Sequence, residues 1–412
     1  MNYLGSVATD RLYMSDNRVS LTTYDTEGHM DKDRLNYLAS NVTEYICDEP
    51  TYSDVWSVYG KESLKADEFE DMVKQYILKD KRTSKYTAFI NRMTKEPLVV
   101  PVPKILILDS FSQFSSTITD DAINKAGEKG KETIYLKDGL YKARYIDNVL
   151  NTCNTGNIYY IMSAHLGEGI DLSGMFEVGP LKKAQFLRGN TKIKKVPDNF
   201  LSMATHAMVA TPSLLKDSKG IGPEYPTKVQ TELIRDKKVT KELTTELQLI
   251  TLTTLRNKGG KSGFDLKIII SQDEGVLPSL TEFHYIKMNK YGISGNDRSY
   301  HLDLCPDINL SRNTVRDILK SDKKLQRACN ILSQMKQMEV HQPVYTSIGL
   351  MCTPKELYED IKKLGYDWDM ILSETRGWNT IDEYNKKHPK FLSTLDLLKN
   401  RIGKYTPYWK GK

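Results

Sequence analysis

Asp109 is the residue whose place in the sequence most directly suggests chemistry. It follows the aliphatic run at 105–108 and precedes Ser110. Four consecutive aliphatic residues indicate a strand that is covered on both faces of a parallel sheet. A carboxylate at the end of such a strand can hold Mg²⁺ or a water bound to it. Aspartate also commonly caps the turn after a strand, so this structural use stays open beside the metal-holding one.

A second stretch with chemical character is the basic segment 167–197. It carries no acidic residue between positions 181 and 195, and phenylalanines are interleaved with its basic residues. Cationic side chains with a few apolar neighbours suit a phosphate backbone with exposed bases. A solvated loop is the alternative interpretation. The candidate DNA-binding residues are Lys182, Lys183, Phe186, Arg188, Lys192, Lys194 and Lys195.

The composition sets broad limits on the class of protein. Of 412 residues, 39% are hydrophobic and 27% are charged, which is ordinary for a soluble globular protein. The balance of 59 basic to 53 acidic residues is too even to identify a partner. The five cysteines are dispersed without C-x-x-C spacing, so neither zinc nor a disulfide framework is expected. The sequence has neither a signal-peptide pattern nor a membrane-spanning run, which predicts a cytoplasmic protein.

Hydrophobic periodicity predicts the elements that must position these residues. Strands are expected at 19–24, 55–59, 105–108, 158–162, 247–255 and 266–271, with a further short strand at 44–47. Helices are expected at 3–15, 31–38 and 66–78. The early alternation of strands and helices predicts a doubly wound, mostly parallel α/β core. From about residue 300 the pattern becomes mostly helical, which indicates an appended helical domain.

Three ordered stretches resemble the RecA-type recombinase ATPases. They are YDTEG at 24–28, KILILDSFSQF at 104–114 and IYYIMSAHLGEG at 158–169. LRNKGGKSGFDLKIIISQDEGV at 255–276 is a weaker fourth. The histidine of the third stretch is most similar to phage UvsX-like recombinases, which would place the protein in a host cell's cytoplasm. The resemblance implies a RecA-like P-loop NTPase core at 1–295 and a mainly helical domain at 296–412.

The same resemblance implies ATP and Mg²⁺ as cofactors and assigns roles by position. Asp109 and Ser110 would lie at the nucleotide, with Asp109 as the metal ligand. Glu27 and Glu68 compete for the carboxylate that activates water. Glu27 is otherwise a loop acid, and Glu68 an acid favoured at a helix start. His165 would sense the γ-phosphate and pass its state to the DNA-binding loop that follows.

Two further features bear on the nucleotide. The basic residues Arg256, Lys258 and Lys261 would reach a neighbouring subunit's nucleotide, or they form a solvent-facing hairpin tip. No G-x-x-x-x-G-K-[ST] motif occurs in the sequence, and the glycine-lysine stretch at 259–262 lacks its first glycine. We therefore expect the Walker A loop and its strand to be missing from the N-terminus, and ATP binding to be weak or absent.

The leading hypothesis is an ATP-dependent strand-exchange recombinase for DNA recombination and repair, of which this chain is a fragment or truncated form. Such a subunit would form helical filaments on single-stranded DNA and pair it with duplex DNA. A replicative DNA helicase of the same superfamily is one alternative, and it would form a hexameric ring. The other is a non-catalytic DNA-binding or scaffolding relative. No membrane partner is expected.

Overall fold

The structure is a computed structural model that describes residues 1–13, 18–62, 64–80, 84–91, 93–117, 119, 121–122, 131–168, 187, 191–197, 199–377, 390–407 and 409. Its strands are β1 (Ser20–Asp25), β2 (Trp56–Gly60), β3 (Ser84–Ile90), β4 (Pro97–Pro101), β5 (Lys104–Asp109), β6 (Ile158–Met162), β7 (Leu166–Glu168), β8 (Thr191–Ile193), β9 (His206–Leu214), β10 (Leu247–Asn257), β11 (Asp265–Ser271), β12 (Gly275–Val276), β13 (Ile293–Asn296), β14 (Ser299–Leu302), β15 (Cys305–Leu310), β16 (Thr375–Arg376) and β17 (Lys390–Phe391).

The helices are α1 (Asn2–Tyr13), α2 (Lys32–Ser40), α3 (Ala66–Asp80), α4 (Lys131–Gly156), α5 (Asn199–Met203), α6 (Lys228–Arg235), α7 (Lys241–Thr245), α8 (Pro278–Asn289), α9 (Val315–Ser321), α10 (Lys323–His341), α11 (Pro343–Ser347), α12 (Pro354–Lys363), α13 (Trp368–Glu374) and α14 (Thr394–Arg401). Short 3₁₀ turns lie at Pro50–Tyr52 and Phe111–Gln113. None of the described helices combines the length and apolar character needed to cross a lipid bilayer.

The chain folds into two compact units. Unit 1 comprises Met1–Val209 and Thr253–Phe264, and unit 2 comprises Ala210–Leu252 and Asp265–Lys412. The predicted domain boundary at residue 295 stays a prediction.

A four-stranded parallel sheet with the order β2-β1-β5-β6 forms the centre of unit 1. On one face, α1 and α2 cover a cluster that includes Leu21, Ile105 and Ile107. On the other face, α3 and α4 cover Leu106 and Leu108. The aliphatic run of β5 is therefore buried from both sides, which is the environment that its sequence predicted. The predicted mixed α/β class is confirmed.

The short strand predicted at 44–47 is wrong, because its backbone is used differently. The N–H groups of Glu44, Tyr45 and Ile46 all donate to one oxygen, Oδ1 of Asp10, at 2.9, 2.6 and 3.0 Å. The Asp10 side chain projects from α1 and is fully buried. Because three successive N–H groups converge on this carboxylate, the segment curves around it instead of extending as a strand.

Unit 2 combines helices with the predicted strand β11 and with a sheet that hydrophobic periodicity did not reveal. The strands β13, β14 and β15 form an antiparallel sheet between residues 293 and 310, just where mostly helical structure was expected to begin. Helices then follow from α9 to α14, as predicted for the last hundred residues. The apolar core of the unit is built largely around α8 and α10, with Phe283, Ile286 and Leu332 at 0% exposure.

Candidate functional site

Asp109 and Ser163 bring the carboxyl ends of two adjacent strands together. Asp109 ends β5, and Ser163 follows β6 directly. Ser163 Oγ donates to Asp109 Oδ1 at 2.5 Å. The Ser163 N–H also donates to the Leu108 carbonyl at 3.0 Å, so the strand pairing continues to the point where the two side chains meet. Asp109 is half-buried, and its Oδ1 is occupied by the hydrogen bond from the Ser163 hydroxyl group.

Glu27 connects the ends of three strands. Its Oε1 accepts from Ser110 Oγ at 2.9 Å and lies 2.5 Å from Nε2 of His165. Glu27 comes after β1, Ser110 after β5 and His165 after β6. The hydrogen bond with His165, followed by that from Ser110, lowers the pKa of Glu27. The carboxylate is therefore ionised at neutral pH and acts as an acceptor for both neighbours.

Asp25 is a site residue that the sequence reasoning missed. Its Oδ1 accepts the backbone N–H groups of Glu27 and Gly28 at 2.9 Å each, and its Oδ2 accepts that of Met30 at 2.8 Å. Gly28 has φ +70°, a left-handed conformation that glycine adopts without strain. Asp25 therefore fixes the turn that presents Glu27. The signal was an aspartate at a strand end followed three residues later by glycine.

Thr26 ties this turn to the end of β5. Its N–H donates to the Asp109 carbonyl at 2.7 Å. Its Oγ1 accepts the N–H of Ser110 at 2.8 Å and donates to the Ser110 carbonyl at 3.0 Å. Thr26 is buried, so these bonds are shielded from water. The backbones that carry Glu27 and Ser110 are thereby held at a fixed separation.

Glu68 makes a contact that agrees with its structural alternative, an acid at a helix start. Its Oε2 accepts the N–H of Lys65 at 2.9 Å, which satisfies a free donor at the start of α3. The helix follows β2, and β1 lies between β2 and β5 in the sheet. Of the two competing carboxylates, the structure brings Glu27 into contact with Ser110 and His165.

The described part of the basic segment begins next to His165. Strands β7 and β8 pair antiparallel, with Gly167 opposite Lys192. Lys192, Lys194 and Lys195 are all exposed. The Lys194 side chain packs over Gly167, where a Cβ atom would lie 1.8 Å from Lys194 Cε. The other four candidates, Lys182, Lys183, Phe186 and Arg188, lie outside the described residues.

The basic residues at 256–261 have local contacts. Arg256 Nε donates to the Ala204 carbonyl at 3.0 Å, and the Lys258 N–H donates to the Thr205 carbonyl at the same distance. Lys258 and Lys261 are exposed on the turn after β10. These contacts agree with a hairpin tip. The suggested role at a neighbouring subunit stays a prediction.

The carboxylates fit one kind of metal site better than another. Among the described residues, no group of three or more His, Cys, Asp or Glu side chains could hold a metal ion. Mg²⁺ usually retains several waters and binds one or two protein carboxylates together with substrate phosphates. The half-buried Asp109 meets this smaller requirement. Among the described residues, Asp109 therefore fits a Mg²⁺ that is shared with phosphate oxygens better than a site built from protein ligands alone.

Comparison with known proteins gives no family for this chain. No family model matches it, and a search of the curated proteins finds no match. The residues at the carboxyl edge of the unit 1 sheet are therefore the basis for a functional conclusion.

Proposed function

We propose that the chain is a DNA recombination protein with a RecA-like core. In this proposal, Asp109 holds Mg²⁺, Glu27 activates water and His165 senses the γ-phosphate of ATP. The observation that supports it most is the contact of Glu27 Oε1 with both Ser110 and His165. This contact lies at the carboxyl edge of the parallel sheet, where open α/β folds bind their ligands.

The contacts of these residues suit the proposed chemistry. Glu27 is an ionised carboxylate held by a fixed turn, so it could accept a proton from water that is placed against a phosphate. Bound Mg²⁺ would neutralise charge on the phosphates. His165 could exchange its contact with Glu27 for a phosphate oxygen, because an imidazole can change hydrogen-bond partners. Strand β7, which pairs with β8, begins at the next residue, so such an exchange would shift the start of this strand pair.

A RecA-like core also needs a strand that leads into a glycine-rich phosphate loop. Among the described strands, β6 pairs with β5 and has no partner along its other side. Tyr159, the second residue of β6, has a side chain that is 57% exposed. A further strand could therefore pair with this edge. We propose that a strand leading into a phosphate loop pairs with this edge.

The 412-residue chain alone should show negligible ATP hydrolysis, because backbone amides of a phosphate loop normally hold the phosphates. Phosphate release should be measured with and without single-stranded DNA. A Glu27→Gln variant serves as the control, since it changes any hydrolysis by this site but not that of a contaminant. Robust hydrolysis that single-stranded DNA stimulates and Glu27→Gln abolishes would contradict this prediction.

Single-stranded DNA should bind through Lys192, Lys194 and Lys195, the exposed lysines at the C-terminal end of the basic segment. Changing Lys192, Lys194 and Lys195 together to glutamate should weaken binding at least about tenfold. The slope of log affinity against log salt should also fall by about 2, because three phosphate contacts are lost. Fluorescence anisotropy with a labelled oligothymidine across a salt series measures both quantities.

A matched control for charge is available in unit 2. Lys355, Lys362 and Lys363 are exposed on α12, and changing them to glutamate alters the net charge equally. This variant should bind almost as well as the unchanged chain. An equal loss in both variants would show that binding is only a general effect of net charge. Electron microscopy of the DNA complex should show filaments, and closed rings would contradict a recombinase.

A further inference from the structure

Lys142 is a buried lysine with no part in the site described so far. It lies on α4 with a relative exposure of 2%. Its Nζ donates to the Ser112 carbonyl at 3.4 Å and to the Lys195 carbonyl at 3.2 Å, and lies 3.2 Å from Asp138 Oδ2. An ammonium group has three donors and no acceptor, so these partners use its full capacity. Burial on this scale is costly unless each donor is satisfied.

Ser112 joins the same region from the other side. It belongs to the 3₁₀ turn that follows β5, three residues after Asp109. Its Oγ accepts the N–H of His165 at 2.9 Å and donates to the Lys194 carbonyl at 2.9 Å. The Lys194 N–H donates in turn to the His165 carbonyl at 2.8 Å. One hydroxyl group therefore connects the end of β5, the end of β6 and the end of β8.

Together these bonds link His165, which contacts Glu27, to the C-terminal end of the basic segment at Lys194 and Lys195. We propose that Ser112 and Lys142 are positioning residues that lock the β7–β8 hairpin to the loop after β5. They hold Lys192, Lys194 and Lys195 in a fixed place relative to His165. A movement of the loop after β5 is then transmitted to these lysines directly, and not only through the backbone of β7. This lock rests on the proposed function only for the ligands at its two ends, a nucleotide near His165 and single-stranded DNA at the lysines.

The chemistry of Lys142 explains why a lysine is needed at this place. Burial lowers the pKa of its ammonium group, while Asp138 opposes that change. The long side chain passes beside Phe111, with Nζ 5.9 Å from the ring centroid, and reaches two carbonyl groups on different segments. Methionine has a similar shape but cannot donate, so the carbonyls of Ser112 and Lys195 would lose a shared partner. Arginine keeps the donors and should retain part of the lock.

Amide hydrogen exchange tests the lock without DNA or nucleotide. Lys142→Met should accelerate exchange of the His165 and Lys194 amides at least about tenfold, because Lys142 no longer joins the loop after β5 to the segment that follows β8. Ser112→Ala should do the same, since it removes the acceptor of the His165 N–H. Lys142→Arg should restore slow exchange in part. Amides within β1 and β5 should change little in each variant.

Lys74→Met is the matched control. Lys74 is half-exposed on α3 and pairs with Glu70 at 3.0 Å, so the substitution removes the same charge at the surface. It should leave the His165 and Lys194 amides unchanged. Unchanged exchange at these amides in both Ser112→Ala and Lys142→Met would overturn the proposal. An equal acceleration across β1 and β5 would also overturn it, since that result shows a general loss of stability.

Binding of the labelled oligothymidine by the same variants separates this inference from the proposed function. If Lys142→Met accelerates exchange of the hairpin amides and also weakens oligothymidine binding, both the lock and the proposed function are supported. If it loosens the hairpin but the unchanged chain binds no single-stranded DNA, the lock is supported and the proposed function fails. If the chain binds DNA and its hairpin amides are unaffected by either variant, the lock fails and the proposed function stands.

Discussion

Replacing Asp10 with alanine should lower the free energy of unfolding of unit 1 by about 4 kcal/mol. The Asp10 side chain is fully buried, and three successive backbone N–H groups donate to its Oδ1. Arg11 Nη1 also lies 3.5 Å from Oδ2. Alanine would leave the three N–H groups without their acceptor. The Ile46 N–H is buried, and an unsatisfied donor away from water retains its full desolvation cost.

The measurement must report on unit 1 alone, because unit 2 unfolds in the same sample. Amide exchange of β1 and β5, followed as a function of denaturant, gives the required free energy. Asp10→Asn is the matched variant, since its amide oxygen can still accept the N–H groups but carries no charge. It should lose clearly less than the alanine variant. Equal stability of Asp10→Ala and the unchanged chain would show that the segment 44–46 satisfies its N–H groups in another way.

Replacing Glu282 with glutamine should stabilise unit 2 above pH 7 and have little effect near pH 4.5. Burial raises the pKa of Glu282 from 4.5 to about 7, although Asn330 and Arg327 oppose the shift. The folded state therefore holds a proton that the unfolded state releases between these two values. Stability is lost as the pH rises from 4.5 to 7, and the loss then stays constant at about 3 kcal/mol. Glutamine resembles the protonated carboxyl and avoids this loss.

The neighbours of Glu282 can accept the substitution. Asn330 Nδ2 donates to Glu282 Oε1 at 2.7 Å, and a glutamine oxygen can accept the same bond. Arg327 also retains its bonds to Asn330 Oδ1 and to the Leu392 carbonyl, each at 2.5 Å. Amide exchange of α8 and α10, followed as a function of denaturant at pH 5 and at pH 8, measures the effect on unit 2 alone. Glu339→Gln is the control, because Glu339 is an exposed partner of Lys336 on the same helix as Asn330. A gain of equal size at both pH values would contradict the prediction.

The four strands of the parallel sheet in unit 1 were predictable because their signal is local. The aliphatic run before Asp109 can hardly be anything but a covered strand, and it forms β5. The meeting of Glu27 with His165 was not predictable in the same way. These residues are 138 positions apart, and their contact depends on the order β1-β5-β6 across the sheet. Hydrophobic periodicity predicts that strands form but does not give their order.

Buried charges were the other feature that the sequence concealed. Lys142 lies in a long, charged helix, where a lysine usually indicates a solvated face. Its burial follows from α4 packing beneath the loop after β5, which is a tertiary contact. Asp10 was hidden for the same reason, because an acid within a helix carries no sign of an acceptor role for a segment more than thirty residues away. In both cases the decisive partners are backbone groups, which are identical in every sequence.

Among the described strands, none pairs with the second side of β6, and this has a consequence for handling the protein. The β6 sequence, IYYIM, contains neither charge nor proline, two features by which natural sheets keep an edge strand from pairing with other chains. Short apolar stretches of this kind are also templates for aggregation. Concentrated preparations of the chain by itself are therefore expected to cluster, and a soluble peptide that covers β6 would act as a stabiliser during purification.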